Sequence, residues 1–229
     1  MLKSSLALLF PPLCLHCEET ALEGFFCPAC LRQLEMLNSH GRCTLCFSSD
    51  VERKDSVCYV CRKGEIVLDR CVAVFDYYGP AATLIKKMKY SGQAYLAKGA
   101  AAYMAAQFLE MDLELPDFLI PVPMPVLRKV ERGYNQSKLI ADALGVILNR
   151  PVLEVLDRES NPYRQASMNK KQRLAQIGDV VFKGKDQIRG KNILLVDDVY
   201  TTGGTLHACA EALWGGFPCR IEALVLCRA

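Results

Sequence analysis

The sequence predicts an α/β fold, with a parallel sheet and a small cysteine-rich module in front of it. Apolar, strand-like segments alternate with amphipathic, helix-like segments from about residue 68 onward, as in proteins whose parallel strands are joined by helices. Four C-x-x-C pairs lie before that point. The 229 residues, 51% of them hydrophobic, suffice for one such domain and a small module. We therefore predict a module over residues 1–66 and an α/β domain over residues 67–229.

The four C-x-x-C pairs account for eight of the twelve cysteines. Disulfide frameworks belong to secreted chains, and nothing in the sequence indicates export. Thiolates paired on tight turns suit tetrahedral Zn²⁺, whose structural sites are often Cys₄. The simplest pairing is sequential, although the spacing leaves an interleaved pairing open. In the sequential pairing the ligands of one ion are Cys14, Cys17, Cys27 and Cys30, and those of the other are Cys43, Cys46, Cys58 and Cys61.

The elements of the α/β domain follow from their hydrophobic patterns. Apolar runs rich in β-branched residues predict strands at 70–78, 118–123, 152–156, 179–182, 192–196 and 221–227. Spacings of three and four residues between apolar positions predict helices at 80–90, 94–110, 135–148 and 203–216. The alternation indicates a parallel sheet with helices on both faces. The polar, basic segment 161–173 has no clean period and reads as a long loop.

One stretch, "NILLVDDVYTTGGTL" (192–206), carries the strongest functional signal. Asp197 and Asp198 follow a buried strand, where two like charges are costly unless something binds them. Ligands of open α/β sheets bind at this end of the strands. Gly203 and Gly204 let the backbone turn tightly, and the N–H groups of the following helix can hold a phosphate. Hydroxyls for further hydrogen bonds come from Thr201, Thr202 and Thr205.

These features predict a sugar phosphate bound by the turn and the two acids, with Mg²⁺ on the carboxylates directly or through water. The chain has neither a Walker loop nor a G-x-G-x-x-G dinucleotide motif. The net charge of +3 implies no partner, but 14 basic and 7 acidic residues lie between Ile120 and Lys191. This distribution favours an anionic ligand such as phosphate or nucleic acid. No apolar run is long enough to span a membrane, and the short run near the N-terminus predicts a cytoplasmic protein.

The segment "ILLVDDVYTTGGT" (193–205) resembles the phosphoribosyl diphosphate (PRPP) motif of type I phosphoribosyltransferases. Other segments resemble the ComF family, which includes ComFC-like and GntX-like proteins with a double zinc ribbon. They are the four cysteine pairs, "LIKKMKY", "RGYNQS", "RQASMNKKQR" and the terminal "LCRA". The resemblance covers nearly the whole chain and implies a type I phosphoribosyltransferase fold with an N-terminal zinc-ribbon module.

The resemblance also implies roles for individual residues. Asp197 and Asp198 would bind the ribose hydroxyls, and the segment 164–173 would be the flexible catalytic loop. Thr201 stands where enzymes that act on purines carry an acid, which argues against purine salvage. The residues implied to bind the 5′-phosphate are Thr201, Thr202, Gly203, Gly204 and Thr205. Those implied to lie near the pyrophosphate are Arg128, Arg132 and Gly133.

Three functions follow as hypotheses. The first is PRPP-dependent pentosyl transfer, in which Asp197, Asp198 and Arg132 are catalytic and Mg²⁺ assists the leaving pyrophosphate. The second is a PRPP-sensing protein without catalysis that binds single-stranded DNA, with Tyr134 and Tyr163 as stacking candidates. The third is a zinc scaffold that binds a partner protein. The resemblance to ComF proteins links all three to DNA uptake and natural transformation, with DNA-uptake or recombination proteins as partners.

Overall fold

The computed structural model describes residues 12–21, 24–51, 56–64, 67–158 and 180–229. Within these ranges the strands are β1 (Arg70–Asp76), β2 (Phe118–Pro121), β3 (Leu156–Arg158), β4 (Val180–Phe182), β5 (Asn192–Tyr200) and β6 (Arg220–Arg228). The helices are α1 (Pro28–Leu31), α2 (Tyr59–Arg62), α3 (Gly79–Tyr90), α4 (Leu96–Glu110), α5 (Val126–Arg132), α6 (Gln136–Leu148) and α7 (Gly204–Trp214). In the part of the chain so described, no helix is long and apolar enough to cross a membrane.

The predicted parallel sheet is confirmed. Its strand order is β1-β6-β5-β2, and every neighbouring pair is parallel. The two central strands, β5 and β6, are buried along nearly their whole length, as expected for runs such as "ILLV" and "ALVLC". Helix α4 packs against α6, β1 and β6, and its many alanines allow this close approach.

Strand β5 is longer than the sequence predicts. The apolar run ends at Val196, but pairing with β6 continues through Asp197 opposite Val225 to Tyr200 opposite Arg228. The neighbouring strand therefore extends regular structure beyond the apolar residues. As a result, the acid pair lies within the paired part of β5 rather than in the loop that follows the strand.

Two other predictions are corrected. The segment 152–156 is not one strand, because Val152 forms a single bridge with Leu119 and the chain then continues into β3, which pairs antiparallel with β4. A short helix, α5, lies between β2 and α6, where the hydrophobic pattern predicted neither a helix nor a strand. The predicted loop 161–173 lies outside the described residues.

Both edges of the sheet are covered by other parts of the chain. At the β1 edge, Leu37 N donates to Val74 O at 2.8 Å and Cys71 N donates to Leu45 O at 2.7 Å. At the β2 edge, Leu119 N donates to Pro151 O at 3.0 Å, and Leu153 N donates to Leu119 O at 2.9 Å. The cysteine-rich segment thus takes the place of a further strand beside β1, which leaves fewer backbone groups open at that edge.

Side chains strengthen the contact between the module and the sheet. Arg42 Nη2 lies 2.7 Å from Asp76 Oδ2 at the end of β1. The fully buried Gln107 on α4 donates from Nε2 to Leu37 O at 2.7 Å and to Ala73 O at 3.1 Å. The module and the α/β domain therefore share one apolar core. The boundary after residue 66 falls on residues outside the described ranges and stays a prediction.

Candidate functional site

The eight cysteines of the module form two groups with the sequential pairing. The first cluster is Cys14, Cys17, Cys27 and Cys30, and the second cluster is Cys43, Cys46, Cys58 and Cys61. Within each cluster the sulfur atoms all lie within 4.8 Å of one another. The interleaved pairing left open by the sequence is not the one observed.

The sulfur distances fit a shared metal ion. Cys58 Sγ lies 3.3 Å from Cys61 Sγ and 3.6 Å from Cys46 Sγ, far beyond the ~2.05 Å of a disulfide. A tetrahedral Zn²⁺ with bonds of about 2.3 Å holds its sulfurs roughly 3.8 Å apart. Four thiols fill the coordination sphere, so a bound ion would have a structural role.

Short helices shape both clusters. Helix α1 begins directly after Cys27 and α2 directly after Cys58, so backbone N–H groups of these turns face the thiols. Cys58 N, for example, donates to Cys43 Sγ at 3.3 Å. Burial opposes ionisation of Cys14, but backbone N–H donors from Cys17 and Cys27 outweigh it and lower the pKa of Cys14 to about 6. These donors favour the thiolate that a metal binds.

The predicted acid pair lies in a cavity of about 360 Å³ at the carboxyl ends of β2 and β5, here called the carboxylate cavity. It brings together most of the residues that the sequence singled out. Those that line it are Asp197, Asp198, Thr201, Thr205, Arg128 and Arg132. The other predicted binding residues lie beside it in the turns, and they are Thr202, Gly203, Gly204 and Gly133.

Both carboxylates are buried, yet the protein supplies each with a partner. Ser137 Oγ donates to Asp197 Oδ1 at 2.8 Å, and Lys89 Nζ lies 2.9 Å from Asp198 Oδ1. Part of the cost of burying two like charges is therefore offset within the chain itself. One oxygen stays open, because Asp198 Oδ2 is buried and has no hydrogen-bond partner among the described residues. Burial, followed by the charge of Asp198, raises the pKa of Asp197 to about 7.

The "RGYNQS" motif explains how Ser137 reaches Asp197. Gly133 ends α5 with a φ of 82° in the left-handed region, which glycine adopts at little cost. Tyr134 then anchors the chain by donating its hydroxyl to Met88 O on α3. Asn135 caps α6 by accepting from Ser137 N at 3.0 Å, and it also donates to Val122 O at 2.9 Å. The cap fixes the first turn of α6 so that Ser137 faces the acid pair.

The glycine turn after β5 is shaped by Tyr200. Gly203 has a φ of 82°, and a Cβ atom at this position would lie 2.3 Å from Tyr200 Oη, so that only glycine fits. Arg228 stacks on Tyr200, with Cζ 4.4 Å from the ring centroid. Its Nη1 also donates to Thr201 O at 2.8 Å. Arg228 of the terminal "LCRA" segment thus supports the turn. The first N–H groups of α7, which follows the turn, have no acceptor within the helix.

The cationic residues of the cavity come from three elements, and the first of them, α3, contributes Lys89. Arg132 on α5 donates to Gln136 Oε1 and lies over the ring of Tyr90, with Cζ 5.6 Å from the centroid. Arg128 on the same helix is exposed. Arg158, at the end of β3, also lines the cavity, and the sequence analysis missed it. Its only sequence signal is that it is a charged residue just behind an apolar run.

Of the two stacking candidates, only Tyr134 belongs to the described residues, and its ring is not exposed. Tyr134 is half-buried, and its hydroxyl is bound to Met88 O. Tyr163 and the segment 164–173, implied to be the catalytic loop, lie outside the described residues. The exposed aromatic ring at the cavity is that of Tyr90, with 78% of its surface accessible.

Comparisons with known proteins show to which family the chain belongs. The model of the phosphoribosyl transferase domain family matches residues 101–229, more than half of the chain. Competence protein F of Haemophilus influenzae is 29% identical over 210 residues, which cover 87% of this chain and 90% of that protein. Competence protein ComFC of Bacillus subtilis is 28% identical over 197 residues, which cover 82% of this chain and 77% of that protein.

A third relative is the DNA utilization protein YhgH of Escherichia coli strain K12. It is 28% identical over 164 residues, which cover 69% of this chain and 72% of that protein. The match to the family model includes β5, the glycine turn and α7, where the acid pair and the threonines lie. The chain therefore belongs to the phosphoribosyl transferase domain family, and it is a homologue of the competence proteins F and ComFC.

Proposed function

We propose that this protein binds PRPP in the carboxylate cavity and acts as a ComF-type phosphoribosyltransferase in the cytoplasm, in a task linked to DNA uptake. The observation that carries the proposal is the acid pair Asp197–Asp198, buried at the carboxyl end of β5 and facing a cavity with arginine and threonine side chains. A ligand with hydroxyls beside two phosphate groups matches this arrangement, because carboxylates accept from hydroxyls and guanidinium groups donate to phosphates.

Within this proposal the residues have separate roles. Asp197 and Asp198 accept hydrogen bonds from the ribose hydroxyls, and Thr201 and Thr205 donate to the 5′-phosphate. Arg132, with Arg128, stabilises the charge that develops on the departing pyrophosphate. Ser137 orients Asp197 through its 2.8 Å hydrogen bond.

The acid pair also suits Mg²⁺. The unpartnered Asp198 Oδ2 and the neighbouring carboxylate are hard oxygen donors of the kind that Mg²⁺ prefers. When bound, the ion would supply positive charge against the pyrophosphate. Lys89 holds the other oxygen of Asp198 at 2.9 Å and keeps this carboxylate in place.

Calorimetric titration of the full-length, zinc-loaded protein with PRPP tests this proposal. We expect binding that requires Mg²⁺ and weakens at least tenfold in Asp198→Asn, because the amide neither coordinates nor accepts as well as the carboxylate. Asp142→Asn is the matched control, since Asp142 is an exposed carboxylate paired with Lys138 at 2.8 Å. Absence of PRPP binding by the wild type, or equal affinity in Asp198→Asn, would refute the proposal.

Catalysis is tested separately from binding. We expect pyrophosphate release from PRPP when nucleotides or single-stranded DNA are offered as acceptors. PRPP binding without release under any of these conditions would favour the alternative, a PRPP sensor without catalysis.

The link to DNA draws support from the names of the relatives and from one surface feature. Competence and DNA utilization proteins are the homologues of this chain. Tyr90, exposed by 78%, lies at the cavity beside Arg132, and Arg128 and Lys129 add positive charge on α5. Aromatic rings next to cations favour single-stranded nucleic acid. Affinity for oligonucleotides that falls steeply with salt and drops in Tyr90→Ala is the expected result. Salt-independent or absent binding would count against this role.

We also propose that Zn²⁺ occupies both cysteine clusters and holds the module against β1. This role makes the module part of the fold, and it agrees with the hydrogen bonds of Leu37 and Leu45 to the strand. A zinc scaffold that binds a DNA-uptake or recombination protein stays a third hypothesis, and an unchanged transformation phenotype in Asp198→Asn would favour it.

A further inference from the structure

Arg158 is a half-buried cation with no ion-pair partner among the described residues. Its Nε is buried and has no hydrogen-bond partner among the described residues. Nη2 lies 3.5 Å from Thr205 Oγ1, which is long for a hydrogen bond. In the described part of the chain, no carboxylate forms an ion pair with this guanidinium group.

Such an arrangement is costly unless an anion completes it. Arginines that are largely buried are normally paired, because removing the charge from water is expensive. A second cation, Arg128, lines the same cavity and adds repulsion. Burial, aided by the charge of Arg128, holds the pKa of Arg158 below its ordinary value. Arg158 thus lines the cavity with a buried Nε donor that has no acceptor among the described residues.

The position of Arg158 indicates which anion this is. Thr205 belongs to the first turn of α7, directly after the glycine turn. Arg132 belongs to α5 and lies over Tyr90. Arg158 therefore contacts the first turn of α7, whereas Arg132 contacts a ring at the end of α3, and PRPP has two anionic ends that such separate contacts could bind. A planar guanidinium group binds a phosphate through two parallel N–H bonds.

We propose that Arg158, together with Thr205, binds the 5′-phosphate and makes the cavity selective for pentoses phosphorylated at C5. The inference rests on the proposed function, since it assigns one end of the same ligand. It also gives Arg158 and Arg132 separate tasks, with Arg132 at the pyrophosphate.

Two ligands that each carry one end of PRPP test this assignment by calorimetry on the full-length, zinc-loaded protein with Mg²⁺. We expect Arg158→Met to weaken ribose 5-phosphate binding at least tenfold and pyrophosphate binding less than twofold. Arg132→Met is the matched variant, with the opposite pattern expected. Arg158→Lys keeps the charge but loses the two parallel bonds, so ribose 5-phosphate affinity should fall about threefold to tenfold.

The outcomes separate this inference from the proposed function. If the wild type binds neither PRPP nor ribose 5-phosphate, the proposed function itself fails. If the wild type binds both and Arg158→Met does not change ribose 5-phosphate affinity, only the role of Arg158 is refuted. An equal loss for both ligands would indicate a structural role and also refute it. Should Arg158→Met not fold, unchanged ribose 5-phosphate affinity in Arg158→Lys would overturn the proposal.

Discussion

In the two cysteine clusters, every thiol has three other thiols within 4.8 Å, all from one short stretch of chain. In the carboxylate cavity, the charged groups come from α3, α5, β3 and β5. Two buried polar atoms there, Asp198 Oδ2 and Arg158 Nε, have no partner among the described residues. The proposed Zn²⁺ ion alone would complete each cluster, whereas the proposed ligand of the cavity would have to supply both acceptors and donors. We therefore expect changes in the module to affect mainly the free energy of unfolding, and changes in the cavity to affect mainly ligand affinity.

Loss of a cluster should have the largest effect. We expect Cys58→Ser to reduce the zinc content from two ions to one per chain and to lower the free energy of unfolding by roughly 5 kcal/mol, since structural zinc supplies much of the folding energy of such modules. Metal analysis and denaturant titration measure both. Cys219→Ser is the control, because Cys219 is exposed and outside both clusters. Two bound zinc ions in Cys58→Ser would contradict the assigned ligands.

The glycine turn should show the next largest effect, on both stability and affinity. Gly203→Ala places Cβ 2.3 Å from Tyr200 Oη at a φ of 82°, so strain and overlap together should cost about 3 kcal/mol. We also expect PRPP binding to disappear. Gly190→Ala is the control, because it has a φ of 66° but nothing within 4 Å, and it should cost about 1 kcal/mol with PRPP affinity intact. Equal stability losses in the two variants would exclude the contact with Tyr200.

The acid pair should make stability depend on pH. Burial and the charge of Asp198 raise the pKa of Asp197 to about 7, while an unfolded aspartate titrates near ~3.9. Between these values the folded state binds a proton that the unfolded state does not, so stability falls as pH rises from about 4 to about 7. A difference of about 3 pKa units corresponds to a decline of roughly 4 kcal/mol, and we expect this decline to be absent in Asp197→Asn. Parallel slopes of stability against pH for the two proteins would exclude this coupling.

The contact between the two regions should show the smallest effect. Arg42 donates to Phe47 O at 3.2 Å and pairs with Asp76 at 2.7 Å, so Arg42→Met should cost about 1 kcal/mol and leave PRPP affinity unchanged. Lys191→Met removes a more exposed pair with Asp117 and should cost less than about 0.5 kcal/mol. Thermal unfolding and calorimetry check both. A large loss of PRPP affinity in Arg42→Met would mean that the module acts on the cavity directly.

The sequence predicts those features that depend on short stretches of chain. The spacing of each cysteine pair is typical of a metal-binding turn, and the paired acids directly follow an apolar run. Both features could therefore be predicted from the sequence alone. The parallel sheet and most element bounds follow from alternation, whereas the strand order was not predicted. The end of β5 at Tyr200 could not be predicted, because it depends on pairing with β6 rather than on local hydrophobicity.

The partners of the acids belong to the features that the sequence does not reveal. Ser137 and Lys89 meet Asp197 and Asp198 only because α6 and α3 pack over the end of β5. Nothing in the residues around Arg158 distinguishes it from a surface arginine. These contacts join positions far apart in the chain, and single-sequence patterns carry no information about such distances.

If zinc occupies the clusters as proposed, the segment that covers β1 has a consequence for the protein once the metal is removed. Leu37 and Leu45 reach the strand only while the loops that bear them keep their shape, and those loops lie between and within the clusters of cysteines. Chelation would uncover a row of backbone donors and acceptors that another copy of the chain can bind. Zinc starvation should therefore first appear as self-association into insoluble material, before any change in the chemistry of the sugar site.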